Sequence, residues 1–127
     1  VSLPSRLRKL ASQDPLALAK YLDRTRFNGD LPVDDMTLKW SENGEPYGEF
    51  QPPHTLTISK PWWDTHDEDA RERLVLHELL HLAVWTLYGP TMWRAQHKDR
   101  KGHGTMYEAV RQKYHLQDVR LTSDDLE

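Results

Sequence analysis

Along the chain, stretches with helical periodicity alternate with stretches of strand-like periodicity, and the switches between them set the expected architecture. Asp14 ahead of Pro15 is a helix start, a side-chain acceptor for orphan amides followed by a residue whose missing N–H costs nothing in the first turn. Leu16, Leu18, Tyr21 and Leu22 recur at roughly helical spacing, and Gly29 and Pro32 of FNGDLP close the element, so a first helix is predicted to about Thr25. Between Met36 and Ser59 the pattern changes to MTLKWS, YGEF and TLTIS, separated by Gly, Pro and Asn, which predicts three strands of a small sheet. Leu56 and Ile58 alternate with Thr55, Thr57 and Ser59, as in a strand with one buried face.

Thr65 with Glu68 three residues later reads as a capping box ahead of the long run RERLVLHELLHLAVWTLYGP, predicted to end at Tyr88 before Gly89 and Pro90. At about 100° per residue, Leu74, His77, His81, Val84, Trp85 and Tyr88 fall together, with Leu76, Leu80, Ala83 and Leu87 nearby. A helix apolar over so much of its circumference is expected to be central and packed on two sides. A loop carrying Trp93 and basic residues then leads to Gly102, and His103, Met106, Tyr107, Val110 and Tyr114 recur at the spacing of a final helix. The polar end, DVRLTSDDLE, reads as a frayed tail over 117–127. The expected fold class is α+β, a small three-stranded sheet packed against helices that include a central one carrying HELLH.

Length and composition narrow this further. At 127 residues, 37% hydrophobic and 29% charged, the chain is expected to form one domain with its core over about 14–116. The absence of Cys excludes disulfides, thiolate metal ligands and cysteine nucleophiles, so any metal must sit on His, Asp or Glu. VSLPSRLRKLASQ lacks the apolar run of a signal peptide and no stretch is long enough to span a membrane, which makes a cytoplasmic location the expectation. A net charge of −3 gives no general attraction to nucleic acid. Basic residues gather at Arg6, Arg8 and Lys9 and again through Arg94, Lys98, Arg100 and Lys101, against an acidic run of Asp64, Asp67, Glu68, Asp69 and Glu72. Such runs read first as solvated surface charge.

HELLH at 77–81 fits H-E-x-x-H, in which two His four apart on one helical face converge on one ion and the intervening Glu reaches an activated water. Zinc suits neutral imidazole. Short patterns also arise by composition, and the rival reading is a pair of satisfied core histidines. Context favours the metal: His77, Glu78 and His81 are the strongly polar side chains in the otherwise apolar run from Leu74 to Val84, and burying them unpaired would cost several kcal/mol. A catalytic zinc site needs a third protein ligand. Val84 and Leu87 stand where the metzincin extension would require Gly and His, which leaves His97, His103 and Glu108. His103 is favoured, since Gly102 and Gly104 would let the backbone approach the ion; Glu108 would make a gluzincin-like site, and His97 reads as a solvated side chain.

The chain resembles the SprT-like family, which includes the Spartan proteases. The resemblance is carried by FNGDLP, LKWS, a second strand containing Gly48, TLTIS, HELLH and KDRKGHGTMYEAV, over about residues 16–115. It implies a minimal zincin fold, Zn2+ held by His77, His81 and His103, and Glu78 as general base. It also implies unfolded or DNA-crosslinked protein as substrate, with a peptide able to add as a strand at an exposed edge around Tyr47 to Phe50. Two departures stand out. Thr105, Met106 and Tyr107 replace the family's frequent Pro-Glu-Phe, keeping an aromatic, and these 127 residues include no zinc ribbon or basic tail.

Two readings compete with a zinc endopeptidase. One is a nucleic-acid-binding module on the same scaffold, contacting single-stranded DNA through the basic 94–103 loop and Trp62, Trp63 and Trp93, although core packing is the simpler role for those rings. The other is a zinc-stabilised interaction module. An intact Glu78 favours the enzyme. For the oxyanion of a tetrahedral intermediate, Tyr88, Tyr107 and the Arg residues of 94–101 are the candidates.

Overall fold

Helices and a small mixed sheet share one hydrophobic core. The computed structural model describes the backbone of residues 3–100 and 104–116 and the side chains of residues 6–95 and 104–116. In chain order come α1 (Leu3–Ala11), α2 (Pro15–Arg26), a 3-10 turn (Val33–Asp35), β1 (Thr37–Ser41), β2 (Gly48–Gln51), β3 (Thr55–Ser59), α3 (Lys60–Thr65), α4 (Glu68–Arg100) and α5 (Thr105–Lys113). The strand order is β1-β3-β2, with β3 parallel to β1 and antiparallel to β2. β2 is therefore an edge strand.

α2 begins as its sequence predicts: the Asp14 side chain accepts the Ala17 N–H at 2.9 Å, with Pro15 in the first turn. Its end is organised by Asp23, whose backbone carbonyl accepts from Phe27 and Gly29 while Oδ1 accepts the Leu31 N–H at 3.0 Å. Burial pushes the Asp23 carboxyl up, opposed by that Leu31 N–H. The same FNGDLP segment fastens the end of α5. Tyr114 donates to Asp30 at 2.9 Å, and its ring meets Phe27 edge-on at 5.0 Å.

Leu56 and Ile58 of β3 are fully buried, as the alternation requires. Gly48 of β2 is needed for a different reason. A Cβ there would lie 2.9 Å from Leu74 Cδ1 and 3.1 Å from its Cγ, so the missing side chain is what lets the edge strand lie against α4. α4 packs on β2, α2 and α5, and every residue from Leu74 to Val84 is buried, which is the central helix expected.

Four expectations are corrected. Two helices, α1 and α3, stand where none was predicted; α3 starts with the Ser59 hydroxyl accepting the Trp62 N–H at 3.3 Å and Pro61 in its first turn. Thr65 does not cap α4. Its hydroxyl donates back to Pro61 and Trp62 carbonyls within α3, and Asp67 caps instead, accepting the Ala70 N–H at 3.0 Å. The helical run does not stop at Tyr88 either: Gly89 takes φ 83, ψ 176, and helix resumes at Pro90 where a loop was expected. Pro is at home in a first turn, so a Gly-Pro pair can restart a helix as well as end one. Finally, the basic and acidic runs are not simply solvated. Arg8 of α1 bridges Glu72 at 2.5 Å and Asp69, with Glu68 at 3.7 Å, tying α1 to the start of α4.

Candidate metal centre

His77, Glu78 and His81 lie mid-way along the buried stretch of α4 and are 8%, 3% and 6% exposed. Surrounded by Leu79, Leu80, Leu82 and Ala83, they have no bulk water to solvate them, so each must find a partner in the core.

The two imidazoles face each other through Nε2, 3.2 Å apart, with their rings nearly perpendicular at 80°. Two nitrogens bound at about 2.0–2.1 Å to one tetrahedral ion stand roughly 3.3–3.4 Å apart. The pair thus already has the spacing of two ligands of one zinc. Imidazoles in an apolar surround, with no thiol in the chain, suit that ion.

Glu78, next along the helix, reaches the sheet. Its Oε1 accepts the Phe50 N–H at 2.8 Å. Tyr47 and Ser59 are a hydrogen-bonded pair of the β2–β3 ladder, since Ser59 donates to the Tyr47 carbonyl at 2.8 Å. By antiparallel alternation Glu49 and Gln51 face β3 too, so the polar backbone groups of Gly48 and Phe50 face the outer edge. The carboxylate therefore sits at the free edge of β2, beside the His pair. The close approach of β2 to α4 is helped by Gly48, because a side chain there would press on Leu74 of α4.

Two aromatics complete the walls. The Tyr107 hydroxyl of α5 lies 2.9 Å from His77 Nδ1, and its ring is 5.2 Å from that of His81. Burial, and then the charge of Glu78, push the Tyr107 phenol up, so it keeps its proton. Trp93 meets His81 at 5.9 Å, Phe50 at 5.4 Å and Trp85 at 5.9 Å, all edge-on. Sequence spacing put Trp93 in a loop and gave no hint that it would back a histidine. It reaches there because Gly89 turns the chain before helix resumes.

Among the described residues no third His, Asp or Glu joins the pair in a position to ligate one ion. Glu108 does not: its half-exposed carboxylate is 3.5 Å from Arg111. His103, and the side chains of His97, Lys98, Arg100 and Lys101, lie outside the described residues. Tyr88 is exposed. Trp62, Trp63 and Trp93 are all buried, so none offers a face for stacking bases, and that part of the nucleic-acid reading is lost. Trp85 is only partly buried, and Trp40, on β1, is the most exposed of the indoles; Lys60 lies over it, its Nζ 4.8 Å from the ring.

An α+β domain whose buried helix aims two imidazole nitrogens at one point, with a carboxylate alongside, is built like a metallopeptidase. Residues 16–124 match the SprT-like family, and the chain belongs to it. No curated protein and no solved structure matches the chain.

Proposed function

We propose that the chain is a zinc-dependent endopeptidase in which His77, His81 and His103 hold the ion and Glu78 is the general base. The observation that carries this reading is the 3.2 Å approach of two buried Nε2 atoms with a carboxylate one residue from the first. His103 is supported by its neighbours. Gly104 is the buried cap of α5, and Tyr107, one turn further on, reaches His77.

Zinc, when bound, would lower the pKa of a water toward about 7 and polarise the scissile carbonyl. The chain's own residues do the rest. Glu78 takes a proton from the attacking water as the new C–O bond forms, and returns it to the amine nitrogen as the C–N bond breaks. The Phe50 N–H holds that carboxylate in place. An extended peptide added at the outer edge of β2 would meet the backbone groups of Gly48 beside Glu78, so binding would depend on main chain more than on side-chain identity. Such an edge suits unfolded protein segments, including those of DNA-associated or crosslinked protein.

Glu78→Gln tests this. An amide cannot accept the proton, so casein cleavage should fall by about 10²–10⁴-fold while one zinc per chain and the fold are kept. Undiminished cleavage would end the general-base assignment, and loss of the metal would make Glu78 a structural residue.

A further inference from the structure

His77 meets a polar side chain at each of its two ring nitrogens. Nε2 faces His81 at 3.2 Å, and Nδ1 faces the Tyr107 hydroxyl at 2.9 Å. An imidazole that gives its Nε2 lone pair to an ion carries its proton on Nδ1, and that proton needs an acceptor. Water is a poor candidate for the role, since His77 is 8% and Tyr107 4% exposed. The phenol oxygen stands within hydrogen-bond distance, on a ring fixed by packing against both histidines at 5.6 and 5.2 Å.

We infer that Tyr107 is a positioning residue: its hydroxyl accepts the His77 Nδ1 proton, fixing the tautomer and the aim of the ring toward the metal position. The inference rests on the zinc reading above. It also removes a candidate for the oxyanion. A hydroxyl within reach of Nδ1 lies behind the ligand, on the far side of the ring from Nε2, and not where a substrate carbonyl would approach. A hydroxyl is suited to the place because it can both give and accept a proton. It can donate to Nδ1 when the proton sits on Nε2, and accept from Nδ1 when Nε2 is committed to the ion. Phenylalanine would keep the ring contacts and lose both options.

The test compares wild type with Tyr107→Phe by zinc competition against a chromogenic chelator, with His81→Ala as the control for a broken site. The variant should bind zinc about 10-fold or more weakly, in the range for lost outer contacts of metal-ligating histidines. A purely structural ring would leave the imidazole resonances alone, so the second readout is the 1H–15N spectrum of the zinc-loaded proteins. In wild type, His77 should show a slowly exchanging Nδ1 proton with a cross-relaxation peak to the Tyr107 ring, and this protection should vanish in the variant. If the variant does not fold, the wild-type spectrum alone decides. Zinc affinity within about twofold of wild type, or a His77 Nδ1 proton that exchanges freely, overturns the inference while leaving the zinc site standing. Failure of the wild type itself to bind zinc overturns the function proposed above, and this inference with it.

Discussion

The two halves of α4, before and after Gly89, hold their place by different means. From Leu74 to Val84 all residues are buried, and the polar ones are enclosed by β2, α2 and α5. From Pro90 to Ala95 only Trp93 is buried. The first half is specified by continuous apolar contact around its circumference; from Pro90 to Ala95 the described anchor is one indole seated among His81, Phe50 and Trp85. The candidate metal centre stands on the first, and the wall beside it is carried by Trp93 of the second. Elements that open locally are drawn from regions with few buried contacts, so the stretch from Pro90 to Ala95 is expected to open before that from Leu74 to Val84.

The sharpest way to break this contrast is to truncate one anchor in each half. Leu80→Ala should lower global stability by about 2–5 kcal/mol, the usual range for a fully buried leucine. Trp93→Ala removes a larger side chain, yet its effect on global stability should be smaller, because it is capped at the free energy of undocking the second half. Urea unfolding of the two variants checks this, and an equal or larger loss for Trp93→Ala would show that both halves belong to one cooperative unit.

Gly89 offers a smaller, more local probe. Its φ 83, ψ 176 lie in a region open essentially to glycine, and Pro90 disfavours the helical alternative for residue 89. Gly89→Ala should weaken docking of the second half by about 1–3 kcal/mol. Native-state amide exchange should quicken at Trp93 to Ala95 and stay unchanged at Leu79 to Ala83; equal changes in both would contradict separate anchoring of the two stretches.

The smallest expected effect concerns how α4 begins. Asp67→Ala removes the observed cap and should cost about 1 kcal/mol, whereas Thr65→Ala, the cap that sequence spacing suggested, should cost less. Thermal melts of the pair would separate them, and the reverse order would restore the capping box.

How far the sequence could be read follows from the same contrast. The strands, α2 and the buried half of α4 were legible because local pattern and tertiary environment agree there: Asp14 caps, Leu56 and Ile58 alternate, and HELLH sits in an unbroken apolar run. Where the two part company, spacing misled. Gly89-Pro90 has the chemistry of a stop, but the kink only redirects the chain, and its consequence, Trp93 against His81, depends on a contact between distant turns. Arg8 looked like surface charge because its partners stand some sixty residues away, at Asp69 and Glu72. Of the site, His77, Glu78 and His81 announce themselves by helical spacing. The links from Glu78 to Phe50 and from Tyr107 to His77 do not, since both join a helix to another element and no local period encodes them.

The most direct test of the metal centre is zinc titration of the folded protein beside its His81→Ala variant. The account predicts one tightly held zinc in the wild type and affinity reduced by orders of magnitude in the variant, since a site built on converging imidazoles cannot survive with one of them gone. A wild type that takes up no zinc, or a variant that holds it as tightly, would show that the 3.2 Å contact between His77 and His81 is a packing feature of the core and not a metal site.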